Sequence, residues 1–292
     1  TTLGFPMFPY SNVGSMRNTG WEFGITYRKA WSDFNFTASA NISTYKNEVT
    51  SLGNGDAIYG HAFDNVTVLT KTEVGQPVGY FYGYATNGIF QNEEQVEGSA
   101  QRESAKPGDI RFKDLNSDDV LDEQDRTKIG DPWPDFVYGL SLGATWKGFD
   151  FSMTWSAAFK TSRLLSSMYR VPFGESNNSA VMKYMIEDAW TPEKGNSAKA
   201  PALSFKSKSH NYQDSDLWLR DASYVRLKNI ELGYSFPSSL MKKAHIGSLR
   251  LFVSGYNLLT FDKLKVSDPE ANPDGTAYPL IKVVNVGLKV GF

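Results

Sequence analysis

The chain has 292 residues, no Cys, and 30 Lys+Arg against 32 Asp+Glu, for a formal net charge of -2. That balance argues against a dedicated nucleic-acid binder, and the lack of Cys excludes disulfide frameworks, thiolate metal or iron-sulfur ligation and thiol nucleophiles. Aromatics at 14%, 25 Gly, a hydrophobic fraction of only 40% and a mean hydropathy of -0.39 favour strands; no run reaches the roughly 18 to 20 apolar residues of a membrane helix, which leaves a membrane β-barrel open.

The chain opens on Thr1-Thr2-Leu3-Gly4-Phe5-Pro6, with neither an initiator Met nor a basic and apolar leader, so any targeting signal is expected upstream and the chain reads as part of a longer polypeptide. From Gly20 to Ala30 apolar residues then alternate as Trp21, Phe23, Ile25 and Tyr27, and from Phe34 to Thr44 as Phe34, Phe36, Ala38, Ala40 and Ile42. Such a period of two is the signature of strands with one apolar and one polar face. The same pattern recurs at Phe136 to Trp146 and at Phe149 to Phe159, joined by a tight Lys147-Gly148 turn. It returns at Ser223 to Phe236, where it settles into Ile230, Leu232, Tyr234 and Phe236, then at Leu249 to Phe261 and at Val283 to Phe292.

These segments, roughly 10 to 15 residues each, exceed the usual length of globular strands and match the roughly 9 to 11 residues that cross a bilayer at a tilt. Trp146, Phe149, Phe236 and Phe261 fall at their ends, where an interfacial girdle belongs. The links Trp31 to Asp33, Lys147-Gly148 and Pro237 to Ser248 are short, whereas Thr50 to Asp135, Thr161 to Ala222 and Asp262 to Ile281 are long. Short and long ends therefore alternate, as periplasmic turns and outer loops do in outer-membrane barrels. The expected fold is all-β: about seven C-terminal strands of a large antiparallel transmembrane barrel, with outer loops near 1-19, 50-134, 161-222 and 262-280 and Phe292 on the periplasmic side. Seven strands alone would leave open edges in lipid, so further strands are expected from elsewhere. A soluble β-sandwich would alternate too. The alternative reading is accordingly a secreted, calcium-stabilised sandwich that binds glycans.

The sharpest local motif is the acidic loop Asp114 to Asp125. Oxygen donors at Asp114, Asn116, Asp118, Asp122 and Asp125, with the Val120 carbonyl between them, follow the spacing of an EF-hand-type calcium loop. Asp119 stands where the sharp turn normally has Gly, and Asp125 where a longer Glu is usual. A bound Ca2+ would be structural, because a filled oxygen cage leaves no open position for chemistry. No organic cofactor is indicated. Enzyme signatures are absent: His61, His210 and His245 are isolated, and neither a metalloprotease motif, a nucleophile elbow nor a phosphate loop occurs. Carboxylate pairs such as Asp131 with Asp135 or Glu187 with Asp188 do not by themselves define a glycosidase. The chain is expected not to be an enzyme. Asn35, Asn41, Asn65 and Asn177 head Asn-x-Ser/Thr triplets, of which the first two follow from polar alternation along a strand. Among the loop aromatics, Tyr82, Trp133, Trp190, Tyr212 and Trp218 are candidates for stacking on a ligand. Val181 to Trp190 reads as a short helix stopped by Thr191-Pro192.

Several stretches, in order, resemble the SusC/RagA family: Ser11 to Glu22, Gly79 to Phe90, Pro107 to Phe112 with the acidic loop after it, Asp125-Arg126 with Ile129-Gly130, Asp188 to Glu193, and Ser223 to Tyr234. That resemblance implies a TonB-dependent importer of oligosaccharides or peptides in the outer membrane of a Bacteroidota bacterium, with a 22-stranded barrel, an N-terminal plug and a SusD-like surface lipoprotein over its mouth. It implies that this chain supplies the C-terminal part of the barrel, while the plug and the coupling to TonB-ExbB-ExbD belong to a region outside this sequence. Phe292 resembles the terminal aromatic by which the assembly machinery recognises barrels. No bond in the cargo need change. The two longest loops are the expected ligand wall and lipoprotein contact.

Overall fold

A computed structural model describes residues 14-53, 55-61, 69-173, 181-204, 210-243, 245-271, 278 and 280-292. The strands, in chain order, are β1 (Ser15–Trp31), β2 (Phe34–Ser51), β3 (Ile58–His61), β4 (Leu69–Thr72), β5 (Tyr80–Tyr84), β6 (Thr86–Ile89), β7 (Ile110–Phe112) and β8 (Arg126–Gly130). They continue as β9 (Phe136–Trp146), β10 (Phe149–Phe159), β11 (Ser162–Leu164), β12 (Leu219–Asp221), β13 (Tyr224–Ser235), β14 (Ser248–Asp262) and β15 (Val283–Gly291). Among the described residues, the short helices α1 (Glu93–Glu97), α2 (Ser167–Arg170), α3 (Lys183–Asp188) and α4 (Ser238–Lys243) lie between them. No helix among the described residues is long and apolar enough to cross a membrane.

The seven long segments form one antiparallel sheet in the order β1-β2-β9-β10-β13-β14-β15. Its register converts local alternation into two continuous faces. Ile25 stands opposite Ala40, Ala40 opposite Leu140, and Leu140 opposite Trp155, while Met153, Ile230, Val253 and Val286 carry the same face to the far edge. The other face pairs Thr26 with Ser39, Ser39 with Ser141, and Ser141 with Thr154. A hydroxyl contact of 3.0 Å between Thr26 and Ser39 and an Asn35 to Thr145 hydrogen bond of 3.1 Å tie neighbouring polar residues across strands. Alternation in β13 settles only from Ile230 because the ladder shifts between Leu227 and Asn229; Lys228 is the extra residue, and Val225 and Leu227 before it share a face with Ile230 and Leu232 after it.

The apolar face is exposed, with Phe23 at 63%, Val286 at 82% and Leu288 at 60% accessibility, and among the described residues no second sheet covers it. A sandwich buries such a face against a partner sheet about 10 Å away, so this arrangement corrects the sandwich alternative. From Phe149 to Phe159 the strand rises about 33 Å, which at a barrel tilt of 35-45° spans close to the 25 Å apolar band of an outer-membrane protein. At one end Trp31 meets Phe34 at 5.7 Å and Phe149 meets Tyr234 at 4.6 Å between ring centroids; at the other, Tyr138 meets Phe159 at 5.5 Å. The sheet thus carries an aromatic girdle at each end.

Two strands outrun the sequence expectation: β1 starts five residues earlier than Gly20, at Ser15, and β2 continues seven residues beyond Thr44, to Ser51. Their pairing outlasts the apolar alternation and continues into the polar Arg17-Glu48 and Asn18-Asn47 pairs. The long outer connections are also built rather than irregular, since they carry β3 to β8 and β11 to β12. Lipid contact by the odd face of β10 makes a sharp prediction. Met153→Arg in the full-length polypeptide is expected to cost about 2-4 kcal/mol near the bilayer midplane and to reduce recovery in the outer membrane. Ser152→Arg, on the opposite face, should assemble normally. Equal recovery of the two variants by fractionation and immunoblotting would contradict the facing.

Candidate functional site

The candidate site is the cap formed by the connections β2 to β9 and β10 to β13. Its core consists of Phe81, Tyr84, Ile110, Phe112, Leu164, Leu165, Trp218 and Leu264, drawn from both connections and from the segment after β14. The short stretch from Asn211 to Trp218 sews the two halves together. Tyr84 N donates to the Asp214 carbonyl at 2.8 Å, Thr86 N to Asp216 Oδ1 at 3.0 Å, and Ile110 N to Asn211 Oδ1 at 2.8 Å. Asn211 Nδ2 in turn donates to Asp109 Oδ1 at 2.7 Å. A Cβ at Gly83 would collide with the Asp214 carbonyl, and one at Gly108, where φ is +92°, would collide with the Trp190 ring. Those contacts explain the two glycines as sites of close approach. Arg170, 2% exposed, meets Asp214 Oδ1 at 2.7 Å; burial still raises the Asp214 carboxyl, with Arg170 opposing it.

A second charged cluster fixes the segment after β14 to the polar face of the sheet. Arg226, 1% exposed, meets Asp268 at 2.7 Å and Glu270 at 2.6 Å, and Lys228 and the Tyr224 hydroxyl also reach Glu270. Arg163 adds two bonds to the carbonyls of Asp268 and Pro269, at 2.9 and 3.0 Å. Sequence reasoning did not identify this cluster. The available signal was a run of cations on the polar face of β13, Arg226 and Lys228, followed by an acidic pair in the next outer loop. Nearer the short turns, Arg250 bridges Asp150 and, at 2.6 Å, Glu231 on the same polar face.

The five aromatic candidates separate by position. Trp218 is 1% exposed and donates its indole N–H to the Asn211 carbonyl at 2.8 Å, so it packs the cap and has no surface to offer a ligand; burial corrects that expectation. Tyr212 is half-buried with its ring 6.3 Å from Trp218, and burial pushes its hydroxyl up to about 12. Trp190 is half-buried over Gly108 and donates to Gln91 Oε1 at 3.0 Å. Trp133 is 46% exposed, with its indole tied to the Val78 carbonyl at 3.0 Å, and lines a cleft with Trp21, Tyr45 and Lys128. Tyr82 stands beside the exposed Tyr59 at 5.8 Å, with Lys71 Nζ 4.8 Å from its ring centroid. Of the five, Trp133 is exposed, whereas Tyr82, like Trp190 and Tyr212, is half-buried.

The acidic loop is ordered by its own backbone. Asp114 accepts from Ser117 N at 2.6 Å and Asp119 N at 2.9 Å, Asp118 from Val120 N at 2.9 Å, and Asp122 from Gln124 N at 2.7 Å. Asn116 Oδ1 accepts from Asp118 N at 3.1 Å. Asp125 is fully buried; its two oxygens accept from Leu115 N and Asp122 N, at 2.7 and 2.9 Å. Ser117 and Asp119 adopt left-handed φ values of +61° and +66°, and an ion pair to Arg102 holds Asp119, which explains how a non-Gly residue occupies the sharp turn. Among the described residues no group of three His, Cys, Asp or Glu side chains converges as a metal site does. Asn35 lies on the polar face, bonded to Thr145, and Asn41 on the same face covers Gly139. Asn65 and Asn177, and Ser11 to Val13 of the first resembling stretch, lie outside the described residues. Helix α3 falls within the expected Val181 to Trp190 stretch.

Within the cap, Glu73 gives a pH prediction. Its carboxyl is held below the ordinary range by the Lys71 ammonium at 2.7 Å and by the Tyr80 hydroxyl at 2.5 Å. A lowered folded-state value contributes stability above the ordinary carboxylate range and loses it as pH falls through the lowered value. Glu73→Gln should therefore lower stability at neutral pH, flatten the acid limb of the unfolding profile in detergent, and converge on the parent at acid pH. An unchanged acid limb would contradict that role.

No family model matches the chain. It is 32% identical over 303 residues to TonB-dependent receptor P3 of Formosa agariphila, with 96% of this chain and 29% of that protein covered. It is 29% identical over 287 residues to TonB-dependent receptor SusC of Bacteroides thetaiotaomicron, covering 96% of this chain and 27% of that protein. The solved RagAB peptide transporter matches with a TM-score of 0.73 and 26% identity, over 97% of this chain and 30% of that chain. The chain thus spans about three tenths of the length of the relatives it matches. In both sequence and fold, this chain belongs with the TonB-dependent receptors of the SusC and RagA type.

Proposed function

We propose that the chain forms part of the barrel wall and the outer cap of a TonB-dependent importer in the outer membrane of a Gram-negative bacterium of the Bacteroidota. The observation that carries this reading is the seven-stranded sheet with one exposed apolar face, one polar face and a girdle at each end. A barrel of the width its relatives imply would be an open pore unless plugged. Import then rests on capture at the cap, followed by movement of a plug driven through TonB-ExbB-ExbD from outside this chain. The cargo class is oligosaccharide or peptide, and the partner is a SusD-like lipoprotein seated on the cap. The names SusC and RagAB support that pairing by analogy. Neither role needs catalysis, and the relatives are named as receptors and transporters. Tyr82 and Trp133 are the cap aromatics proposed for ligand contact.

The test is detergent extraction of outer membranes from the native source, with mass spectrometry of what accompanies peptides of this chain. A larger barrel polypeptide, a surface lipoprotein and a bound oligosaccharide or peptide are expected. Recovery in the soluble fraction, without membrane, would overturn the reading.

Calcium at the acidic loop is proposed from donor spacing. The residues fit a cation in part: Asp114, Asn116 and Asp118 can turn further lone pairs outward beside the Val120 carbonyl, whereas Asp125 is committed to two backbone N–H groups. Isothermal titration of the purified transporter with Ca2+ should show one site lost in Asp114→Ala with Asp118→Ala. Absence of binding heat in the parent protein would remove calcium from the account.

A further inference from the structure

Two neighbouring rows on the apolar face enclose a groove of about 550 Å³. The first row runs from Phe23 through Ile42 and Tyr138 to Ala157. The second runs from Ile25 through Ala40 and Leu140 to Trp155. Ala40 and Ala157 supply only methyl groups, so the sheet surface drops between the larger Phe23, Ile25, Leu140 and Trp155. Strands β2, β9 and β10 each have a neighbour on both sides. Their backbone groups are committed to the ladder and offer an occupant no hydrogen bond, and the lining is dominated by apolar side chains. The occupant must be an apolar chain.

The height of the groove identifies its surroundings. Immediately beyond the first row lies the row of Trp21, Thr44, Phe136 and Phe159, the girdle on the side of the long loops. The groove therefore opens in the outer half of the apolar band. Lys46 lies four residues beyond Ile42 along β2, about 13 Å at the rise of a strand, and its side chain is 76% exposed. Arg17, on the same face of β1, is 63% exposed, and Lys160, 67% exposed, holds its ammonium 5.1 Å from the Phe136 ring centroid. Glu48 lies 3.5 Å from Arg17 and 3.9 Å from Lys46, and Asp135 lies 3.6 Å from Lys160. Three cations against two carboxylates leave this rim positive, directly above an apolar slot.

We infer that the groove binds one acyl chain of an outer-leaflet glycolipid whose phosphate sits on Lys46, Arg17 and Lys160. The assignment rests on the membrane-barrel reading above. It goes beyond that reading in naming a fixed lipid site in place of general solvation by the bilayer. A lipid held here would brace the first hairpin against β9 and β10, and so steady β2 and β9, the strands that flank the longest outer connection.

The test uses the full-length transporter extracted from outer membranes, stripped of lipid in detergent, then titrated with a diphosphorylated acylated glucosamine disaccharide, its dephosphorylated form and phosphatidylcholine. Native mass spectrometry counts bound lipids, and thermal unfolding reads their effect. The parent protein should retain one phosphorylated lipid at least tenfold more tightly than the dephosphorylated form and show a higher Tm with it. Lys46→Glu with Lys160→Glu should abolish that preference while leaving the apolar slot intact. Ala40→Leu with Ala157→Leu should fill the slot and lose both lipids. The charge-reversed side chains are solvent-exposed, so that variant remains informative if the filled one fails to assemble. Equal binding of all three lipids, or of the phosphorylated lipid to parent and charge-reversed proteins, would overturn the site. Failure of the parent chain to enter the outer membrane would instead overturn the barrel reading.

Discussion

Inside hydrocarbon a peptide N–H or C=O has no water to turn to, and each one left unpaired costs several kcal/mol. The unbroken ladder from β1 to β15 answers that constraint, and the rest of the molecule follows from its register. Because successive side chains point to opposite faces, an aligned ladder sorts Ile25, Ala40, Leu140 and Trp155 to one surface and Thr26, Ser39, Ser141 and Thr154 to the other. A slip of one residue in any strand would put its serines and threonines into lipid. The same constraint leaves β1 and β15 as edges that must pair with further strands.

Above the membrane the physics changes. The cap has a core of ordinary globular kind, with Trp218 and Ile110 at its centre, and backbone groups satisfied by side chains from a distant segment. Asn211, Asp214 and Asp216 serve as connectors, each accepting from strands more than a hundred residues earlier in the chain. Charged groups join the cap to the wall. Arg226 reaches from β13 to Asp268 and Glu270, and once these charges are buried the removal of one partner leaves the others uncompensated, at a cost of about 3-5 kcal/mol. The segment after β14 is thereby held on the polar face, where a barrel of this type would conduct its cargo.

The sheet was legible in the sequence because its signal is local and is repeated seven times. Phe149 to Phe159 declares two faces without reference to anything outside itself. Tolerance of the ladder for polar pairs at its outer ends hid the full length of β1 and β2, since Asn18 opposite Asn47 carries no hydrophobic signal. The cap was not legible for a different reason. Whether Trp218 faces a ligand or a core depends on Asn211, Leu164 and Phe112, residues brought to it only by the tertiary fold. The acidic loop shows the same division. Its turn was readable from the spacing of Asp114, Asn116 and Asp118, but the commitment of Asp125 to Leu115 and Asp122 was not.

The central claim is directly accessible to single cysteines introduced one at a time from Phe149 to Phe159, a stretch of this Cys-free chain, in a full-length transporter whose cysteines outside the chain, if any, are replaced. Spin labels at these positions, in protein reconstituted in lipid, can be relaxed by oxygen, which partitions into hydrocarbon, or by a water-soluble nickel chelate. The account predicts an alternation with a period of two, in which labels at 151, 153 and 155 respond to oxygen and labels at 150, 152 and 154 to the chelate. Uniform exposure to the chelate along the strand, or the inverse alternation, would contradict it.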